Sequence, residues 1–272
     1  MRKPYLLILV FVLLIVFAVS AYQVGSYFLE GMAQAEKFDN LSDLVNSEKD
    51  KVPETTAAAT EATEAPTEAT EVTESTEPTE PKMLPGYDKA YELNNDLVGW
   101  IKIEGTEIDY PVMQTPDSTD FYLQRDFDKK DSARGCIYVR EECDVFAPSD
   151  NVTIYGHTMK DGSMFAALHT YTDKEVWETN PMIFYDTLYE YHVYQIFSVF
   201  LTTASLGKGF SYHQMEWAED EAEFDAFIDK CKDLALYETG ITPEYGDKII
   251  CLSTCEYSQD NGRLVVAAVR IS

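Results

Sequence analysis

The chain has 272 residues, 48 of them Asp or Glu against 21 Lys or Arg, for a formal net charge of −27. An acidic excess of that size argues against nucleic acid or an anionic surface as partner, while 45% hydrophobic and 13% aromatic residues suffice for a packed core. Five cysteines are an odd number, so at least one thiol is left over from any set of disulfides.

The amino terminus, MRKP, is short and basic, and an apolar run follows with no charge before Glu30. A helix rising about 1.5 Å per residue needs roughly 20 such residues to cross a bilayer, so Tyr5 to Val24 is expected to be a transmembrane anchor. Arg2 and Lys3 place residues 1–4 on the cytoplasmic side and everything after the span outside. A cleaved secretory signal is the rival, with Ala18, Ser20 and Ala21 as a weak cleavage site, but the run exceeds the roughly 7 to 15 residues of a usual signal core.

Residues 25–52 read as a juxtamembrane segment. Residues 53–82 are rich in Thr, Glu and Pro and lack any aromatic side chain. Such a stretch cannot bury enough apolar surface to offset its ordering entropy, so it is expected to be a disordered tether between anchor and domain. Residues 83–272 are then long enough for one domain with a proper core.

Within that domain, YDKAYELNNDLVGW (87–100) predicts a short helix ending at Gly99, and IKIEGTEIDYPVMQ after it predicts two strands about a turn at Glu104-Gly105. RGCIYVR, NVTIYGH, MIFYD, YHVYQIFSVFLTT, DKIICLSTC and RLVVAAVRI all predict strands rich in β-branched and aromatic residues. KDGSMFAALHTY predicts a helix capped by Asp161 or Ser163. AEDEAEFDAFIDKCKDLALY predicts a longer one closed by Gly240. Many short strands at close spacing imply a barrel or sandwich.

Alternation along DKIICLSTCE puts Cys251, Ser253 and Cys255 on one face. Cys255 comes where the strand runs out into a polar turn tipped by Asn261-Gly262, and the returning strand brings Arg263 back beside it while Arg270 takes the opposite face. A guanidinium beside a thiol favours the thiolate and can hold an oxyanion. Of the four histidines, His157 is the best partner for that thiol, because it follows a strand and precedes a polar turn; His169, His192 and His213 read as packing or solvent-exposed. Cys231, Cys136 and Cys251 read as small apolar fillers, and Cys143 is either free or bridged to Cys136. The spacings match no common zinc pattern, so no metal is expected.

The blocks NVTIYGHTMKDGSMFAAL and KIICLSTCEYSQDNGRLVVAAVR resemble the two signature blocks of class B sortases, the membrane-anchored cysteine transpeptidases of Gram-positive bacteria. The resemblance covers essentially all of residues 83–272. It implies an eight-stranded β-barrel with amino-terminal helices and a long helix before the cysteine strand. It also implies Cys255 as nucleophile, His157 as general acid and base, and Arg263 as the group that orients substrate and stabilises the oxyanion. Ser253, Thr254 and Glu256 match positions flanking the family's cysteine and are implied to be substrate-binding, Ser253 and Glu256 by lining the groove, and Asp109 and Met113 lie in a segment implied to contact substrate.

The reaction implied is acyl transfer without a cofactor: cleavage of an exported protein's sorting signal after threonine, then transfer to a peptidoglycan amine. The implied partners are surface proteins carrying an NPQTN-like or LPxTG-like signal. A pilus-polymerising enzyme that uses a pilin lysine, a Cys-His protease that only hydrolyses, and a tethered extracellular binding module are the alternatives.

Overall fold

The computed structural model describes residues 4–49, 81–205 and 207–272. The Thr/Glu/Pro-rich stretch expected to be a tether lies, up to Glu80, outside the described residues.

Eight strands close into one barrel: β1 (Leu97–Lys102), β2 (Asp109–Met113), β3 (Ile137–Val139), β4 (Asn151–Tyr155), β5 (Met182–Thr187), β6 (Val193–Thr203), β7 (Ile249–Glu256) and β8 (Gly262–Arg270). Their order around the barrel is β1-β2-β3-β4-β7-β8-β6-β5. The pairs β2–β3 and β4–β7 are parallel and the rest antiparallel. A parallel pair needs a crossover, and the chain between β4 and β7 supplies it with the β5–β6 hairpin and most of the domain's helices. The consequence is that β4 and β7 end at the same rim.

Strand parity divides the apolar residues between two cores. Ile250, Leu252, Leu264, Val266 and Ala268 point into the barrel. Ile249, Cys251, Val265 and Ala267 point out, under Phe224, Phe227, Ile228 and Cys231 of the helix α4 (Glu221–Asp233). That helix starts on an Asp220 cap whose carboxylate accepts the Glu223 N–H, with acids in its first turn and lysines in its last, as the helix dipole favours.

The amino-terminal helix α1 (Pro4–Lys49) is continuous, and its first half exposes an apolar surface long enough to cross a membrane. Its second half carries Gln34, Phe38, Leu41 and Val45 in a helical stripe, all buried against the barrel. The short helix α2 (Tyr87–Leu93) packs beside it, with Gly86 against the carbonyls of Leu44 and Val45. The segment read as juxtamembrane thus contributes to the domain's core.

Three local expectations change, and one left open, the state of Cys143, is decided. The helix from Tyr87 stops at Leu93, since Asn94 turns extended to bond Tyr122 and Phe127, and Leu97–Trp100 go to β1. The segment after His157 forms a 3-10 helix (Phe165–Thr172) without the expected side-chain cap, because Asp161 accepts the N–H and hydroxyl of Ser163 instead; a further helix, α3 (Lys174–Thr179), follows it. α4 ends well before Gly240, which takes a positive φ in the following loop. Cys136 and Cys143 are unbridged, as are the other three cysteines.

Candidate active site

Cys255 stands at the end of β7, directly opposite Arg263 of β8. Residues facing each other across an antiparallel pair project to the same side, and here that is the outer side, shared with Cys251 and Val265. Cys255 is half-buried, whereas Cys136, Cys143, Cys231 and Cys251 are buried. Two glycines permit the close approaches that frame it. A β-carbon on Gly262 would lie 2.4 Å from the Glu256 carbonyl oxygen, and one on Gly156 would lie 2.5 Å from Ile137 Cδ1.

His157 enters from β4. The parallel register runs to Tyr155 opposite Ser253, and the Gly156 N–H still bonds the Ser253 carbonyl. Two residues further along, His157 flanks the strand end that bears Cys255. Its carbonyl accepts the Phe165 N–H, and its ring Nε2 lies 2.8 Å from the Leu123 carbonyl oxygen. A carbonyl only accepts, so Nε2 carries the hydrogen, and Nδ1 of the neutral ring carries the lone pair.

Arg263 Nη1 bonds the carbonyls of Gly262 and Asn261, at 2.9 and 3.3 Å. A helical turn (Tyr212–Gln214) lies over the same face, and the Tyr212 hydroxyl is 2.6 Å from Ser253 Oγ. Burial pushes the Tyr212 phenol up to about 12, the Ser253 hydrogen bond and the Arg263 charge act to lower it, and Cys255 acts to raise it. The Tyr212 phenol is therefore in electrostatic reach of both the Arg263 guanidinium and the Cys255 thiol.

The remaining expected site residues divide by burial. Ser253 is 1% exposed and bonded to Tyr212, and Thr254 is 2% exposed and donates to the Gly156 carbonyl. Glu256 reaches the surface, its carboxyl held low chiefly by the Ser258 hydroxyl, against desolvation, with His169 contributing electrostatically. Asp109, also part-exposed, bonds the Trp100 indole and Lys102. Met113 is wholly enclosed, at 0% exposure, so this structure presents none of its surface to a ligand.

Two side chains with no assigned part in the sequence reading touch the cysteine's backbone. Thr158 Oγ1 is 3.0 Å and His169 Nε2 is 3.1 Å from the Cys255 carbonyl oxygen. The adjacency of Thr158 to His157 was the available signal; His169 carries none, because it reaches the strand through a 3-10 helix that the pattern reads as α.

Residues 101–271 match the Sortase domain family. Sortase B of Listeria monocytogenes serovar 1/2a is 36% identical over 177 residues, 64% of this chain and 70% of that protein. Sortase B of Staphylococcus aureus strain NCTC 8325 is 31% identical over 186 residues, 68% of this chain and 74% of that protein. Among solved structures, a Staphylococcus aureus sortase B-substrate complex superposes with a TM-score of 0.73 at 25% identity, over 90% of this chain and 99% of that one.

Proposed function

The chain belongs to the sortase family and is a sortase B-type cysteine transpeptidase, and from that membership we propose that it cleaves sorting signals of exported proteins after threonine and passes the acyl group to a peptidoglycan amine. The observation that carries this reading is the register: Cys255 faces Arg263 across β7 and β8, and His157 follows β4 beside the same strand end.

In the first step the Cys255 proton passes to His157 Nδ1, and the thiolate attacks the threonine carbonyl carbon. A carbon–sulfur bond forms, and the carbonyl oxygen takes the negative charge. The guanidinium of Arg263 holds that oxyanion; five N–H donors leave several to spare beyond the turn carbonyls. Collapse breaks the carbon–nitrogen bond, and the leaving amine takes its proton from His157. The acceptor amine then attacks the thioester carbonyl and gives a proton to His157; the carbon–sulfur bond breaks as the new amide forms, and His157 returns that proton to the departing thiolate of Cys255.

The recognised signal is NPQTN-like or LPxTG-like. Glu256 and Asp109 present side chains to it, whereas Ser253, covered by Tyr212 on the cysteine's face of β7, and Thr254, on the opposite face, are buried and shape the strand. The apolar half of α1 anchors the chain, with residues 1–4 in the cytoplasm and the barrel outside.

The test uses the full-length chain in detergent with each signal peptide, supplied with a peptidoglycan-fragment amine, a lysine-bearing peptide or no amine. Transfer to the wall amine, abolished by Cys255→Ala, is the expected result. Hydrolysis at one rate whatever amine is present would overturn the transfer reaction, and preferential use of the lysine peptide would replace wall anchoring by pilus assembly.

A further inference from the structure

The carbonyl of Cys255 poses a hydrogen-bonding problem that the fold solves with side chains. β7 lies between β4 and β8, and on the β4 side the ladder runs Tyr155 opposite Ser253, then Gly156 N–H to the Ser253 carbonyl. In a parallel ladder the next donor toward Cys255 would be the backbone N–H of residue 158. The chain instead turns away after His157 into a loop closed by the Thr158–Met164 bridge. The oxygen of Cys255 is left facing that turn, where Thr158 Oγ1 (3.0 Å) and His169 Nε2 (3.1 Å) approach it.

The protons in this cluster can be counted. Thr254 Oγ1 donates to the Gly156 carbonyl at 2.7 Å. Thr158 Oγ1 lies 2.7 Å from Thr254 Oγ1 and 3.0 Å from the Cys255 oxygen, but has one hydrogen to give. His169 Nε2 lies 3.1 Å from both Thr158 Oγ1 and the Cys255 oxygen. Since the carbonyl can only accept, Nε2 must bear a hydrogen. With the Thr254 hydrogen on the Gly156 carbonyl, the Thr158 hydrogen goes to Thr254 Oγ1 and the His169 Nε2 hydrogen to the Cys255 oxygen with Thr158 Oγ1 as its second acceptor, so the part-buried carbonyl at the strand end is not left unsatisfied.

We propose that His169, acting through Thr158 and the Cys255 carbonyl, is a positioning residue for the thiol. It contacts no reacting atom. It fixes the main chain of Cys255 to the turn that begins at His157, at the point where the backbone ladder between β4 and β7 has ended. The distance between nucleophile and base is thereby set by side-chain hydrogen bonds rather than by sheet pairing, and such distances matter: a misplacement near 1 Å can cost on the order of a hundredfold in rate. The effect on turnover rests on the acyl-transfer reading above, whereas the clamp itself does not.

Two readouts on the full-length chain in detergent separate these claims. For His169→Leu, kcat should fall on the order of ten- to a hundredfold while KM for the signal peptide stays within about twofold; His169→Gln, which keeps an N–H donor, should recover most of the loss. Thr158→Val should act in the same direction as His169→Leu, and decides the question if the leucine variant does not fold. Hydrogen exchange over residues 254–258 should be faster in His169→Leu and close to wild type in His169→Gln. Wild-type kcat in His169→Leu, or equal impairment of the leucine and glutamine variants, would overturn the proposal. Unchanged exchange in His169→Leu would overturn the clamp even if the wild-type chain transferred no peptide at all, an outcome that would instead count against the proposed function.

Discussion

At the scale of the residue, Cys255 differs from the other four thiols by place rather than by kind. Burial pushes the Cys143 thiol up to about 11 and also raises the thiols of Cys136, Cys231 and Cys251, so all four stay protonated and enclosed at neutral pH. Iodoacetamide should accordingly label the folded protein at Cys255 alone and all five cysteines after denaturation; peptide mapping that finds Cys143 labelled in the native state would contradict this. Arg263 is a matter of shape as well as charge. Lysine at that position keeps the charge but loses the planar fork, so Arg263→Lys should lower kcat/KM on the order of a hundredfold, with peptide binding within a few-fold of wild type. Steady-state kinetics alongside a binding isotherm for Cys255→Ala and Cys255→Ala/Arg263→Lys would separate the two effects.

At the scale of the element, α1 is the part whose role changes most on going from sequence to structure. Its docked half is pinned by Lys37 to Asp128 at 2.6 Å, by Ser132 to Glu30, and by Gln34 to the Gly135 carbonyl. Arg134 sits between this helix and the turn after His157: its side chain is 3% exposed, lies over the Tyr27 ring, and pairs with Asp161 at 2.6 Å. Burial works to raise the Asp161 pKa, but the hydrogen bonds from Ser163 and Arg134 outweigh it and hold the carboxyl below its ordinary value. A carboxyl depressed in the folded state stabilises fully above its unfolded pKa, and that contribution is lost as pH falls through the folded one. Asp161→Asn should cost about 2 kcal/mol at neutral pH, less than the 3 to 5 of a fully buried pair because Asp161 is about one-third exposed. Denaturant melts of the variant should also lose part of the wild type's decline in stability on acidification; equal acid slopes would remove Asp161 from that account.

At the scale of the whole molecule, the apolar half of α1 and the barrel are joined through α1 itself. α1 packs on the domain before residues 50–80 begin, and α2 packs beside α1 after they end. The stretch read as a tether therefore does not separate the apolar half of α1 from the barrel. Replacing residues 53–80 by a Gly/Ser sequence of equal length should leave kcat/KM and Tm unchanged within error. A drop in Tm of several degrees would show that the stretch contributes contacts of its own.

Much of the site was legible in the chain because it depends on local periodicities. Alternation over DKIICLSTCE and RLVVAAVRI is enough to pair Cys255 with Arg263 and to send Arg270 away, and β3 to β8 are each announced by runs of β-branched and aromatic residues, whereas most of β1 reads as the end of a helix. The stripe of Gln34, Phe38, Leu41 and Val45 was also written there, but an amphipathic pattern says that a helix face needs cover without saying by what. The burial of Met113 was not legible, since a strand of a closed barrel can enclose residues that alternation alone leaves open to a groove. Nor was the link from His169 to Cys255, which joins residues 86 apart.

The sequence by itself determined most of the strands, the charged and apolar faces, and the facing of Cys255 and Arg263, because these follow from residue type and spacing over a few positions. Only the tertiary structure decided that β4 and β7 run parallel to one rim, that α1 is part of the barrel's core, and that side chains complete the ladder at Cys255. Each of these depends on contacts between distant segments, and their free energy is set by which surfaces meet when the barrel closes, a quantity no local window of the chain contains.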